Sequence, residues 1–221
     1  MTGVAAVLAR LHALADPARR EGMARYGIGG AHTLGVTVAE LRGLARELGR
    51  DHALAAALWD SGVHEARILA SMVEEPAAVD AAQLDAWAAA FDSWDLCDQV
   101  CQNLVRRTPL AWDRALAWSG RDEPFVRRAG FAVMAGLAVA DRTSGDDRFE
   151  PFLAAVAERA DDDRPIVRKG ASWALRQMGK RSPGLHARAV ETARGLRAGG
   201  HGARWVAADV LRELERRPVG T

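Results

Sequence analysis

Seven tryptophans stand against one tyrosine in this chain, and one of them, Trp94, opens a segment that could do chemistry. It reads Phe91-Asp92-Ser93-Trp94-Asp95-Leu96-Cys97-Asp98-Gln99-Val100-Cys101. As a helix, this segment sets Trp94 and Asp98 four apart on one face, while Cys97, Cys101 and Leu104 line another as core. Aspartates near a helix start suit the helix dipole, but Asp98 lies a turn or more inside and fits that explanation least. A carboxylate placed there, beside an indole, is the chain's candidate for chemistry. A second pattern, Lys169, Trp173, Arg176 and Lys180 at spacings of four, three and four, interleaves an indole with cations. It reads either as a surface that meets an anionic, flat ligand such as a nucleic-acid strand, or as a tryptophan half-covered by long cationic stems. Spacing alone does not decide between them.

Helices must position these residues. Nearly every stretch has the 3.6-residue period and is rich in Ala, Leu and Arg. Asp16-Pro17 reads as an N-cap with proline at N1, Thr37 to Glu40 as a capping box, and Asp80 to Gln83 as a looser version of it. Glu123-Pro124 and Arg164-Pro165 open two more helices, and Gly49, Gly62, Gly120 and Gly179 sit near expected ends. About a dozen short helices are predicted, with no convincing strand. Asp141 to Asp147 is the loopiest stretch, too short to mark a domain boundary.

Internal repetition sets the architecture. Asp122 to Ala129 aligns with Asp163 to Gly170 at a shift of 41, and Ala203 to Leu211 echoes Val167 to Leu175 at a shift of 36. Arg128 thereby occupies the position of Lys169. The longer shift falls in the period of HEAT and armadillo helix pairs, which stack because no pair buries its apolar face alone. The expected fold is all-α, a curved right-handed solenoid of HEAT-like repeats (an α-α superhelix), with residues 1–221 as a single domain. In the helix after Pro165, Val167, Ala171, Ala174 and Met178 form the stripe that faces the core.

Composition narrows the function classes. With 49% hydrophobic and 27% charged residues over 221 positions, neither disorder nor a membrane protein is the natural reading. No apolar run reaches the roughly 20 residues of a transmembrane helix. The start, Met1-Thr2-Gly3-Val4, lacks the marks of a signal peptide. Two cysteines exclude a disulfide framework and fit a reducing cytoplasm. From Asp161 onward, 13 Lys and Arg face 7 Asp and Glu, whereas the preceding 160 residues carry 17 against 22. That basic C-terminal third suits a polyanionic partner or a solvated helix face. The six histidines show no metal-ligand spacing, and no phosphate loop, dinucleotide fingerprint or nucleophile elbow occurs. Trp59, Trp87, Trp112 and Trp205 read as core, and Trp118 as the seal of a repeat.

From Met23 to Arg176 the chain resembles the bacterial DNA alkylation repair glycosylases built from HEAT-like repeats, the AlkD family. The resemblance rests on Met23-Ala24-Arg25-Tyr26, Leu34-Gly35-Val36, Leu41-Arg42, Ser93-Trp94-Asp95-Leu96-Cys97-Asp98, Trp118 with Val126-Arg127-Arg128-Ala129, and Arg168 through Arg176 in that order. It implies Asp98 as catalytic carboxylate, and Trp94, Trp173 and Tyr26 as contacts to the lesion nucleotide. Arg128, Lys169 and Arg176 would hold the DNA backbone. Ser93 departs from the family's archetype, which carries a second tryptophan there. The activity implied is monofunctional, metal-independent base excision of N3- or N7-alkylated purines from double-stranded DNA. It needs no cofactor and no membrane, and is expected of a cytoplasmic, bacterial, nucleoid-associated monomer. The alternative is a HEAT-repeat module that binds DNA or protein without chemistry.

Overall fold

A computed structural model describes residues 3–28 and 32–216. Met1 and Thr2, on which the expected lack of a signal peptide partly rests, lie outside the described residues, as do the last residues of the expected 1–221 domain. Among the described residues there are thirteen α-helices and no strand. None of these helices is long and apolar enough to cross a membrane. By its contacts the chain divides into two compact units, residues 1–87 with 91–109, and residues 88–90 with 110–221.

The first unit holds α1 (Val4–Ala13), α2 (Pro17–Ala24), α3 (Val38–Leu48), α4 (His52–Asp60), α5 (His64–Val73), most of α6 (Ala81–Ala89) and α7 (Trp94–Asn103). The helix α5 packs against α3, α4 and α7, and is accordingly apolar on most sides, with Ala66, Ile68, Leu69, Ala70 and Val73 all buried. The caps form as the residue types predict. The Asp16 carboxylate accepts the N–H groups of Ala18 and Arg19. Thr37 and Glu40 close a full capping box, and Asp80 accepts the N–H of Gln83 at 2.8 Å. Trp59 and Trp87 are buried and stacked, their ring centroids 4.1 Å apart.

The second unit holds α8 (Ala111–Ser119), α9 (Pro124–Ala140), α10 (Glu150–Arg159), α11 (Pro165–Gly179), α12 (Pro183–Gly195) and α13 (His201–Leu214). Here α8, α10 and α12 pack in one row, α9, α11 and α13 in another, and each row member pairs with its sequence neighbour. The aligned segments fall on equivalent places, since Pro124 and Pro165 are both at the first helical turn. Asp162, buried just before α11, accepts hydrogen bonds from Arg127 of α9 at 2.9 Å and from the Arg164 N–H and Nε. The Arg164 bonds, helped by Arg127, hold its carboxyl below the usual range.

Some expectations change in detail. Gly179 does lie at the end of α11, as expected, but without a left-handed turn. It is the last residue of that helix, and a Cβ there would meet Leu214 Cδ1 at 2.5 Å, so its role is close packing on α13. Trp112 and Trp205 are half-buried rather than core, each with a guanidinium (Arg148 and Arg168) over its ring. The loop after Asp141 is tightly bonded. The Asp141 carboxylate accepts the N–H groups of Thr143 and Ser144 at 2.9 Å, and Arg181 donates to the carbonyls of Asp141 and Ser144.

Candidate nucleic-acid interface

In the first unit the site is built from the start of α7. Buried Ser93 is the N-cap, its Oγ accepting the Leu96 N–H at 3.3 Å, and this gives the residue at that position a helix-starting role. Leu96, Cys97, Val100 and Cys101 bury one face of α7, and neither cysteine is in a disulfide. The adjoining side carries Trp94, 36% exposed, and one turn on, half-buried Asp98. The Trp94 indole Nε1 donates 2.9 Å to the backbone carbonyl of Tyr26. Tyr26 itself, in the turn after α2, leaves its side chain 74% exposed.

Trp94 and Tyr26 share the wall of an apolar cleft of roughly 600 Å³ with Met23, Ile28, Val36 and Val38. A buried acid positions that wall. Glu65 on α5 is 1% exposed and accepts the backbone N–H groups of Leu34 at 2.9 Å and Gly35 at 2.7 Å. Gly35 has φ +86°, and a Cβ on it would lie 2.3 Å from the Asp16 carbonyl oxygen, so only glycine fits. Next to Glu65, His64 places its Nε2 3.3 Å from the Asp95 carboxylate, which ties the first turn of α5 to that of α7. Neither Glu65 nor His64 is among the site residues that the sequence motifs suggest. The signal was there: Glu65, Leu69 and Val73 are spaced by four, which puts a carboxylate in line with a buried apolar stripe.

The second unit carries the other candidates. Val167, Ala171, Ala174 and Met178 of α11 are fully buried, as the stripe predicts. The neighbouring stripe divides. Lys169 is exposed, with no ion pair among the described residues, and Trp173 is half-buried. Half-buried Arg176 pairs with Asp209 and Glu213 of α13, and also donates 2.7 Å to the Ser172 hydroxyl. Lys180 shares Glu213. Arg128 on α9 is 8% exposed; its stem lies against Gly170, and its Nη1 donates 2.7 Å to the carbonyl of Ile166. Its guanidinium therefore fixes the first turn of α11. Tyr26, Trp94 and Asp98 are thus assembled in one unit, and Arg128, Lys169, Trp173 and Arg176 in the other.

No curated protein matches the chain. A solved structure described as "a new family of proteins related to the HEAT-like repeat DNA glycosylases with affinity for branched DNA structures" is similar over 99% of this chain and 97% of its own, with a TM-score of 0.82 at 19% identity. That likeness identifies the fold as HEAT-like, with the helix pairs α8–α9, α10–α11 and α12–α13 as repeats. The sequence pattern of DNA alkylation repair enzymes matches residues 7–213, nearly the whole chain, and the protein belongs to that family.

Proposed function

We propose that the protein is a monofunctional DNA glycosylase that releases cationic N3- or N7-alkylated purines from double-stranded DNA. The observation that carries the proposal is the pairing of Trp94, anchored through Nε1 to the Tyr26 carbonyl, with Asp98 one helical turn away. An N3- or N7-alkylated purine is positively charged and already a good leaving group, so no strong acid need protonate it. As the glycosidic bond stretches, positive charge grows on the deoxyribose. The Asp98 carboxylate stabilises that oxocarbenium ion and orients the water that attacks C1′. The exposed faces of Trp94 and Tyr26, together with Trp173, contact the sugar and the cationic lesion. Lys169 takes a phosphate directly, while Arg128 and Arg176 add positive potential from positions held by Ile166, Asp209 and Glu213.

The buried thiols of Cys97 and Cys101 suit a reducing cytoplasm, where we place the enzyme as a monomer on DNA. The test is release of free 7-methylguanine from methylated duplex, with EDTA present, by the parent and by Asp98→Asn. Release by the parent alone supports the reading, and equal release by both defeats it.

A second reading is a module that binds DNA without chemistry. The affinity for branched DNA of the similar structure's family favours it. Against it stands Asp98, since a binder of phosphates gains nothing from a carboxylate beside its exposed indole. Tight binding to a four-way junction without excision from any alkylated substrate would establish the second reading.

A further inference from the structure

Away from Trp94, the far ends of α3, α5 and α7 enclose a second concavity of roughly 370 Å³. Arg42, Arg46, Arg50, Met72, Asn103 and Arg107 are among its lining residues, and no acid lines it. Two separate chain segments contribute its arginines: α3 with the residue just past Gly49, and the 3-10 turn Val105–Arg107. Arg42, Arg46 and Arg107 are exposed and make no ion pair among the described residues. Arg42 and Arg46 are four apart on one helix, a like-charge spacing that is unfavourable by itself. The dipole at the end of α3 accounts for Arg46 in the last turn, but not for Arg42 or Arg107.

The surrounding polar groups hold the cradle open and cationic. Arg50 is tethered by donating to the carbonyl of Glu74. The Glu74 carboxylate is buried and occupied by Gln83 at 2.8 Å and by the His52 ring at 2.7 Å. Glu47, the acid nearest on α3, is taken by Arg10. The Asn103 amide donates to Ser71 and Gln99, which fixes its side chain. Neighbouring Arg106 is partly buried, and this burial, with a smaller contribution from the Arg107 charge, holds its guanidinium below the usual range.

We infer that this cradle holds a backbone phosphate of duplex DNA as a contact independent of the lesion. Helix α7 links it to the other site, because Trp94 is its first residue and Asn103 its last. Nine residues at 1.5 Å each separate them by about 14 Å, close to the roughly 12 Å width of the major groove. A duplex held by Trp94 at one end of α7 therefore presents phosphate at the other. The inference rests on the reading of the chain as a DNA-binding protein, not on excision.

The test uses unmodified duplex, so chemistry does not enter. The salt dependence of binding is measured for the parent and for the double variant Arg42→Gln/Arg107→Gln. Loss of that phosphate contact makes the slope of log K on log salt shallower by about 0.9, with affinity about tenfold lower in low salt. Ala45→Glu, which removes no contact but sets a carboxylate in the cradle wall, should weaken binding in the same way. Arg42→Lys/Arg107→Lys should restore most of the slope. An unchanged slope in both the Gln and Glu variants overturns the inference. Pyrophosphate is the free-anion probe: micromolar binding by calorimetry, abolished in the variants while duplex binding is unaffected, would mark a small-anion site and overturn it also. A parent that excises nothing, yet loses slope in the variants, defeats the glycosylase reading alone.

Discussion

The Nε1 of Trp94 donates 2.9 Å to the backbone carbonyl of Tyr26, 68 positions earlier, so an exposed indole is held by a main-chain atom of a separate turn. Trp94→Phe keeps an aromatic face but removes this donor. The Tyr26 carbonyl is accessible to water, and the loss of stability should stay at about 0.5–1.5 kcal/mol. Positioning suffers more than folding. Single-turnover excision by Trp94→Phe is expected to fall about tenfold to a hundredfold, with duplex affinity nearly unchanged.

The wall of the apolar cleft depends on one buried acid. Glu65→Ala strands the N–H groups of Leu34 and Gly35, and should destabilise the protein by about 2–4 kcal/mol. For a chain of this size that lowers Tm by about 4–16 °C, read by differential scanning calorimetry. Gly35→Ala should destabilise as well, because the left-handed backbone and the Asp16 carbonyl both oppose a Cβ. Equal Tm values for parent and Glu65→Ala would show that the loop holds without the carboxylate.

The folded protein holds the Asp162 carboxyl below its usual range, chiefly through hydrogen bonds from Arg164 and with help from Arg127. Its folded pKa lies below its unfolded one, so the stabilisation is fully present above the ordinary carboxylate pKa of about 4 and is lost as pH falls below it. Asp162→Asn should therefore cost about 1–3 kcal/mol at pH 7. Urea midpoints of parent and variant should converge as pH falls below about 4. A gap independent of pH would assign the effect to packing.

Local chemistry makes much of the fold legible in the sequence. Asp16, Thr37 and Asp80 are short polar residues placed just before apolar periods, and each caps its helix. Pro124 and Pro165 mark equivalent helix starts because proline at N1 sacrifices no intrahelical bond. Long-range partners were not legible. The period identifies the Lys169–Arg176 face, but only tertiary structure brings Asp209 and Glu213 of α13 to Arg176. Likewise the spacing of Trp94 and Asp98 is local, whereas the acceptor for the indole is a backbone carbonyl, which has no residue-type signature. Gly179 is legible as a helix end, whereas its close packing on Leu214 of α13 is a tertiary contact with no local signature.

Lys169 and Arg128 should separate on mutation, although the repeat aligns them. Lys169 is exposed, and Lys169→Ala should make the salt dependence of DNA binding shallower by about one, with no change in Tm. Arg128 is 8% exposed and bonded to the Ile166 carbonyl, and Arg128→Ala should destabilise the fold by about 1–3 kcal/mol. A salt slope that responds to Arg128→Ala but not to Lys169→Ala would move the phosphate contact to α9.

Asp98→Asn is the sharpest test of mechanism. The substitution keeps the shape of the side chain and leaves the Ser93 cap and the buried face of α7 untouched. It removes the negative charge proposed to stabilise the oxocarbenium ion, and loss of such preorganised stabilisation costs on the order of 10²–10³ in rate. Duplex affinity should hold or rise slightly, since a charge of the same sign as the phosphates has gone. In single-turnover assays on alkylated duplex, the expected variant binds like the parent and excises slowly. Excision at the parental rate would show that the carboxylate takes no part in the chemistry. A parent that excises nothing above spontaneous depurination would leave Asp98 without a reaction to serve, and the DNA-binding module would then be the function of the fold.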